Sequence, residues 1–167
     1  NAEGRTDGSL TPIDPKTGKP GLAIPVEDPY NMYFTPDGKS AIVVAEAFKR
    51  LDFRDPHTMA LQSSLPVPQC AGINHADFSI DGRYAIFTCE FSGTVVKIDL
   101  VERKVLGYLQ LIKPGKPTKV VKGFDGRDET ICTTWKGMPQ DIRVSPDGKL
   151  FFVADMMSDG LYVVDGE

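Results

Sequence analysis

Apolar and polar residues follow one pattern in three stretches of the chain. The stretches are residues 30–46 (YNMYFTPDGKSAIVVAE), 74–90 (NHADFSIDGRYAIFTCE) and 140–155 (QDIRVSPDGKLFFVAD). In each stretch a short, partly alternating run leads to Ser/Thr-x-Asp-Gly and a basic residue, and a β-rich run follows that ends in an acidic residue. Asp-Gly between such runs is a strong hairpin signal, because Gly accepts a positive φ and Asp caps its own backbone. Each stretch is therefore predicted to form a β-hairpin.

Further strands are predicted after each hairpin. A third strand is expected at 49–53, 94–100 and 160–166, and a fourth at 59–67 and 103–111. The Asp-Gly pairs that begin at residues 37 and 81 lie 44 residues apart. Four antiparallel strands every 40–50 residues are the sequence signature of a β-propeller blade. The predicted fold class is therefore all-β, with blades of four antiparallel strands in an incomplete ring.

The repeat also predicts how the chain is divided. We expect one propeller segment, in which residues 9–26 read as strand, turn and strand and match the last two strands of a blade. The predicted units are the tail of a preceding blade at 1–27, blades at 28–68 and 69–111, an insertion at 112–138 and a partial blade at 139–167.

The repeated segments resemble the YVTN or YncE-like family of propellers. The resemblance rests on FSIDGRYAIFTCEFSGTVVKIDL and IRVSPDGKLFFVADMMSDGLYVVD, in which SPDGK, VAD and a strand ending in ID or VD recur. It implies a ring of about seven blades, of which this chain holds roughly half. It implies little about activity, since related propellers include binding proteins, lactonases and haem-bearing reductases.

A partial ring would leave two sheet edges without partners, which is an aggregation hazard. Three explanations are open: a fragment of a longer chain, a half-ring that closes by oligomerising, and an open arc. We favour the fragment, and we expect other blades or another copy of the chain to close the ring.

Composition narrows the function classes. Hydrophobic residues make up 41% of the 167 residues and charged residues 25%, as in globular proteins. The net charge of −4 supplies no basic field for nucleic acid. No run approaches the 18 apolar residues that would span a membrane. The chain has no GxSxG, P-loop or GxGxxG motif, so covalent catalysis through Ser has no support.

Two sets of aligned polar residues are the candidate site. The first set stands at the start of the innermost strands and consists of Asn31, His75 and Asp141. The second set stands at the end of the second strands and consists of Glu46, Glu90 and Asp155, of which Asp155 falls one position earlier in the alignment than the two glutamates. In a propeller these ends share the face of the fourth-to-first and second-to-third loops. Carboxylate oxygens suit Ca²⁺, whereas the alternative is that each acid binds backbone N–H groups or faces solvent.

His75 and Asp141 are the candidate proton-transfer groups. Asp77 lies two residues after His75 and so on the same side of a strand, where it could orient the imidazole. The alternative is a hydrogen-bonded pair in the propeller wall.

Three cysteines are present, and the odd number leaves at least one unpaired within the chain. Cys70 precedes an innermost strand and Cys89 ends the strand paired with it. They form either a disulfide or two small buried hydrophobic residues. A disulfide would imply an oxidising compartment. We expect an exported bacterial protein, extracellular or periplasmic.

The insertion at 112–138 should overhang the ligand face, because it joins a fourth strand to the next first strand. It carries six basic residues against three acidic ones, and Lys116, Lys119 and Trp135 are its candidate contact residues. Its TKVVKGF and ETICTTW segments could pair as a hairpin around Asp125-Gly126. A lid or docking loop is the functional interpretation, and a solvated excursion is the alternative.

Three functions are in competition. The absence of a compact catalytic motif favours a non-catalytic binding or scaffold propeller, with a protein, small-molecule or glycan ligand. The alternative is a metal-assisted hydrolase that resembles propeller lactonases, with a divalent cation at Glu46, Glu90 and Asp155. The third is a haem protein with His75 as axial ligand, and the chain has no CxxCH.

Overall fold

The computed structural model describes residues 8–111, 119–122, 128–131, 137–158 and 160–167. Within those ranges all regular structure is β, and no helix long and apolar enough to cross a membrane is present.

Fifteen strands are described. They are β1 Gly8–Leu10, β2 Ile24–Val26, β3 Pro29–Phe34, β4 Ala41–Ala45, β5 Arg50–Arg54, β6 Leu61–Pro66, β7 Ile73–Phe78, β8 Tyr84–Cys89, β9 Thr94–Asp99, β10 Lys104–Gln110, β11 Lys119–Lys122, β12 Asp128–Ile131, β13 Pro139–Val144, β14 Leu150–Asp155 and β15 Gly160–Asp165.

The strands form sheets in chain order, and every pairing is antiparallel. Strands β3 to β6 form one four-stranded sheet (blade 1) and β7 to β10 another (blade 2), while β13 to β15 form a three-stranded sheet (blade 3). Strands β1 and β2 pair separately, as do β11 and β12. The chain is thus an incomplete β-propeller, and the predicted fold class is confirmed.

The Ser/Thr-x-Asp-Gly turns are built identically in the three blades. The hydroxyl at the first position donates to the aspartate and accepts from the backbone N–H five residues on, as in Ser79 with Asp81 and Tyr84. Thr35 and Ser145 head the other two turns and make the same bonds. The glycines have φ values of 69°, 69° and 77° at positions 38, 82 and 148, which explains the Gly in the motif.

Each innermost strand contains one extra residue near its start. The pairing with the second strand shifts between Pro29 and Asn31, between Ile73 and Ala76, and between Pro139 and Ile142. A β-bulge of this kind bends the strand and redirects the side chains beside it. The bulges lie at the sheet end where the candidate site residues were predicted.

The apolar core lies between the blades. One cluster joins blade 1 to blade 2 and includes Phe53, Phe87 and Ile98, which are all fully buried. A second joins blade 2 to blade 3 through Ile86, Phe151 and related residues. Strand β4 is buried along its whole length, because both faces of the sheet are covered.

A disulfide joins Cys70 to Cys89 across 19 residues, with the Cα atoms 5.0 Å apart. The sequence left open whether these cysteines form a disulfide or are two small buried hydrophobic residues, and the structure contains the disulfide. It ties the loop before β7 to the end of β8, directly beside Glu90.

Candidate functional site

Five polar and aromatic side chains from two blades converge at the ends of β3, β4, β7 and β8. We call these residues the rim cluster: Tyr30, Asn31, Glu46, His75 and Glu90. Glu46 is 4% exposed, and the other four are partly exposed. The cluster is therefore reachable from solvent at one end of the sheets.

Asn31 and His75 come together as the aligned motif positions predicted. Asn31 Nδ2 lies 3.2 Å from His75 Nδ1 and 2.9 Å from the Tyr33 hydroxyl. The Tyr33 hydroxyl also accepts the Ala76 N–H at 3.0 Å. These hydrogen bonds join blade 1 to the bulge of blade 2 and orient the His75 imidazole.

Tyr30 contacts the imidazole and lies near enough to the two glutamates to be affected by their charges. Its ring meets the His75 ring edge-on, with centroids 6.2 Å apart and planes at 81°. Partial burial raises the pKa of the Tyr30 hydroxyl, and the charges of Glu46 and Glu90 raise it further. The ring and hydroxyl form the aromatic wall of the cluster.

Glu46 is the most deeply buried acid of the cluster. Burial raises its pKa above the ordinary value of 4.5, and the carboxylates of Glu90 and Asp28 act in the same direction. Asp28 has a φ of 43° and accepts the Ala47 N–H at 2.6 Å, which shapes the turn after β4. A desolvated carboxylate beside a second one is the arrangement that favours holding a proton.

Glu90 is positioned by a buried polar network. Asn74 Nδ2 donates to Glu90 Oε2 at 3.2 Å, and the Thr88 hydroxyl lies against Asn74 Oδ1. Thr88 also lies 2.7 Å from the Gln140 carbonyl oxygen of blade 3. Blade 3 therefore supports the carboxylate without contributing to the rim cluster.

Asp155 occupies a different place from the two glutamates. It lies opposite Pro139, at the register that Ala45 and Cys89 hold in the other blades, so Met156 takes the register of Glu46 and Glu90. Asp155 Oδ1 accepts the N–H groups of Met157 and Ser158. Within the described residues, Asp155 Oδ2 is buried without a hydrogen-bond partner.

The described ranges contain no group of three or more His, Cys, Asp or Glu side chains placed to hold a metal ion. The cation site at Glu46, Glu90 and Asp155 therefore stays a prediction, and so does the choice of Ca²⁺. Of the three carboxylates, the structure brings Glu46 and Glu90 into electrostatic contact.

Asp77 and Asp141 have contacts of their own. Asp77 accepts the Phe78 N–H and, at 2.7 Å, the Val144 N–H of blade 3, so its carboxylate joins two blades. Asp141 pairs with Arg143 at 2.8 Å, and both side chains are mostly exposed. The role of His75 and Asp141 in proton transfer stays a prediction.

Three contributors were missed in the sequence: Tyr30, Asn74 and Thr88. Tyr30 and Asn74 directly precede the aligned residues Asn31 and His75, which was a usable signal. No such signal pointed to Thr88, because the other two blades have apolar residues, Val44 and Ala154, at the same register. Lys116 and Trp135 lie outside the described residues, and of Lys119 only its place in β11 is described.

The predicted pairing within the insertion is confirmed. Residues Lys119–Lys122 pair antiparallel with Asp128–Ile131. The turn between these strands, including Asp125-Gly126, lies outside the described residues.

Similar folds occur among solved structures. A periplasmic gluconolactonase from Pseudomonas aeruginosa, PpgL, superposes with a TM-score of 0.56 at 20% identity, covering 95% of this chain and 59% of that chain. The hydrazine synthase of Kuenenia stuttgartiensis gives 0.49 at 15% identity, covering 83% and 49%. This chain thus spans 59% of the gluconolactonase, and at this identity the likeness shows the fold alone.

No family model matches the chain, and no curated protein matches it. The YVTN or YncE-like resemblance therefore stays an interpretation of the repeated motifs.

Proposed function

We propose that this propeller segment binds a neutral polyhydroxylated ligand, such as a small glycan, at the rim cluster without catalysing a reaction. The observation that carries the proposal is the convergence of Tyr30, Asn31, His75 and two glutamates from two blades at one sheet end. Carboxylates and amides hydrogen-bond hydroxyl groups, and an aromatic ring packs on a sugar face. A few convergent polar groups beside an aromatic wall are typical of small-molecule sites.

The insertion at 112–138 is proposed to close over this face. Lys116, Lys119 and Trp135 would then contact the ligand or a protein partner. Trp135 is the only Trp of the chain, so its fluorescence reports on the insertion alone.

The test is a saturation-transfer NMR screen of glucose, galactose, mannose, N-acetylglucosamine and cellobiose, followed by titration calorimetry of any hit. Glu90→Gln and Tyr30→Ala are expected to weaken binding at least tenfold, which corresponds to about 1.4 kcal/mol. Asp141→Asn is the matched control, because Asp141 is exposed and pairs with Arg143. Binding that survives both rim variants would place the ligand elsewhere, and no binding by any of these sugars would exclude this ligand class.

Metal-assisted hydrolysis is the second candidate, and the closeness of the Glu46 and Glu90 carboxylates favours it, because a divalent cation such as Ca²⁺ binds carboxylate oxygens. In this proposal Glu46, Glu90 and Asp155 hold a divalent cation such as Ca²⁺, and His75 or Asp141 transfers protons. Glucono-δ-lactone is the test substrate, since a solved structure of similar fold is a gluconolactonase. Proton release is followed with added CaCl₂ and with EDTA. A rate above buffer that EDTA abolishes and Glu90→Gln reduces would support hydrolysis, and a rate equal to buffer would exclude it for this substrate.

We also propose that the protein is exported, to the periplasm or the cell exterior. The Cys70–Cys89 disulfide supports this, because disulfides persist in oxidising compartments. Other blades or another copy of the chain are proposed to close the ring.

A further inference from the structure

The side-chain amide of Asn31 has a defined orientation. Its Oδ1 accepts the backbone N–H of Met32 at 2.9 Å. If the amide were turned over, its NH₂ group would face this N–H, and two donors would meet. The NH₂ group therefore lies on the other side, where Nδ2 is 2.9 Å from the Tyr33 hydroxyl oxygen and 3.2 Å from His75 Nδ1.

The Tyr33 hydroxyl keeps the amide in this orientation. Its oxygen accepts hydrogen bonds from Asn31 Nδ2 at 2.9 Å and from the Ala76 N–H at 3.0 Å, which uses both of its lone pairs. The Tyr33 ring is partly buried and meets the Phe78 and Phe87 rings edge-on, with centroids 5.9 and 6.1 Å apart. Two neighbours, one on each side, thus fix the Asn31 amide.

The orientation of this amide decides which nitrogen of the His75 ring carries the proton. In a neutral imidazole one ring nitrogen is a donor and the other an acceptor, and the hydrogen bond at one nitrogen sets the role of the other. Asn31 Nδ2 can only donate, so Nδ1 of His75 accepts and carries no hydrogen. The proton of the neutral ring is therefore on Nε2.

The position of the His75 ring is fixed as well. The His75 backbone N–H lies 2.7 Å from Asn74 Oδ1 and 3.2 Å from the Thr88 hydroxyl oxygen. The Tyr30 ring contacts the imidazole edge-on. His75 is partly exposed, and within the part of the chain that the structure describes its Nε2 has no hydrogen-bond partner. The Nε2–H group is thus held ready for a ligand.

A histidine that accepts a proton during catalysis has the opposite arrangement. An acceptor at Nδ1, commonly a carboxylate or a backbone carbonyl, keeps the hydrogen there and leaves the Nε2 lone pair free. Asp77, the carboxylate that the sequence placed in this role, accepts the N–H groups of Phe78 and Val144 instead. A donor at Nδ1 leaves no lone pair at Nε2, either for a proton or for a metal ion.

We propose that Asn31 is a positioning residue that holds His75 as a neutral hydrogen-bond donor, with the Nε2–H directed at the ligand of the rim cluster. The ligand then presents an oxygen acceptor to His75, such as a hydroxyl, ether or carbonyl oxygen, and an amine or metal ion is rejected there. This selectivity rests on the proposed function, whereas the tautomer does not. In the hydrolytic alternative, proton transfer is left to Asp141.

The test observes the tautomer directly in the ligand-free protein. Long-range ¹H–¹⁵N correlation spectra of ¹⁵N-labelled protein show which ring nitrogen carries hydrogen, at pH 8, above the ordinary histidine pKa of about 6.5. The chain has two histidines, so His57→Gln assigns both sets of signals. We expect one tautomer for His75, with hydrogen on Nε2, and a mixture of tautomers for the exposed His57.

Asn31→Asp reverses the hydrogen bond at Nδ1 with little change in shape. The new carboxylate can only accept, so the hydrogen of His75 should move to Nδ1 and Nε2 should become the acceptor. Tyr33→Phe is the matched control. In that variant the Met32 N–H still orients the Asn31 amide, so His75 should keep its hydrogen on Nε2.

Two spectra would overturn the assignment. One is a wild-type protein in which His75 carries hydrogen on Nδ1 or shows the same mixture as His57. The other is an Asn31→Asp variant in which the hydrogen stays on Nε2. The wild-type spectrum decides the tautomer by itself if Asn31→Asp does not fold.

Calorimetry at pH 8 with any sugar found in the NMR screen tests the role toward the ligand. Asn31→Asp is expected to weaken binding at least tenfold, because the Nε2–H donor is lost. Equal affinities of the wild type and Asn31→Asp would overturn the role of His75 as the donor. If none of the sugars binds, the proposed function fails, and the ligand-free spectrum still decides the tautomer.

Discussion

Thr88 is one buried hydroxyl on which two blades and the rim cluster depend. It contacts Asn74, which holds Glu90, and it lies 2.7 Å from the Gln140 carbonyl oxygen of blade 3. Removing the Thr88 hydroxyl leaves its buried hydrogen-bond partners unsatisfied. The free-energy cost of such unsatisfied groups exceeds the net stabilisation that a hydrogen bond normally contributes.

Thr88→Val is therefore expected to lower the free energy of unfolding by about 2 kcal/mol, although Val44 stands at the same register in blade 1. Urea denaturation followed by circular dichroism measures the loss. Thr88→Ser keeps the hydroxyl and should recover most of it. Equal losses for Val and Ser would mean that the methyl group matters as much as the hydroxyl, and no loss for Thr88→Val would contradict the role of the hydroxyl.

Glu46 should make stability depend on pH. Burial raises its pKa in the folded state above 4.5, so the folded protein holds this proton more tightly than the unfolded chain. Stability then falls as pH rises from about 4.5 through the folded-state pKa, and the full penalty persists above it.

Glu46→Gln removes that penalty. We expect a higher Tm at pH 7 and a gain that disappears near pH 4, measured by thermal denaturation across this range. Glu102→Gln, at an exposed residue paired with Lys104, is the control and should show no such gain. A gain for Glu46→Gln that is constant with pH would contradict the raised pKa.

The Asp-Gly hairpin is the element that sets both the local turn and the spacing of the blades. Gly38 and Gly148 share a positive φ, but only Gly148 is approached closely by a side chain of the preceding blade, Ile80. Comparing Gly38 with Gly148 therefore separates the requirement for a positive φ from the requirement for space beside the preceding blade.

Gly38→Ala should cost about 1 kcal/mol, because an L side chain is strained at positive φ. Gly148→Ala should cost about 0.5 kcal/mol more, since its Cβ would lie 2.8 Å from Cδ1 of Ile80, an exposed side chain that can shift to relieve part of the overlap. The unfolding free energies in urea measure both. Ile80→Ala in the Gly148→Ala background should recover part of the extra cost, and a lack of recovery would place the strain in the turn alone.

At the scale of the whole molecule, stability comes from the packing of blades against one another and from one covalent link. The two apolar clusters lie between blades, so no blade has its core within itself. The Cys70–Cys89 disulfide closes a loop within blade 2, which is covered on both sides.

Replacing both cysteines by serine should therefore lower the free energy of unfolding by about 3 kcal/mol, as expected for a loop of this length. Denaturation in urea compares the variant with the wild type, and the wild type in reductant should unfold at a similar urea concentration. A change in the free energy of unfolding below about 0.5 kcal/mol would mean that the disulfide does not restrict the conformations of the unfolded chain.

The sequence by itself determined the all-β fold class and the strands and turns of the repeated hairpins. These depend on local chemistry: Asp-Gly fixes a hairpin, alternating β-rich runs fix strands, and repetition of the pattern fixes a propeller. For the same reason Asn31 and His75 could be aligned from their spacing to the turn, and the structure brings them within 3.2 Å. The pairing within 112–138 was local as well.

Only the tertiary structure decided which residues meet. The extra residue in each innermost strand redirects the side chains beside it, so Asp77 reaches Val144 of blade 3 and His75 lies beside Asn31. The one-position offset of Asp155 was already visible in the sequence, and the strand register keeps it, so Asp155 lies out of line with Glu46 and Glu90. The disulfide and the network around Thr88 depend on distances between strands and blades. Such contacts join residues far apart in the chain, and no local pattern specifies them.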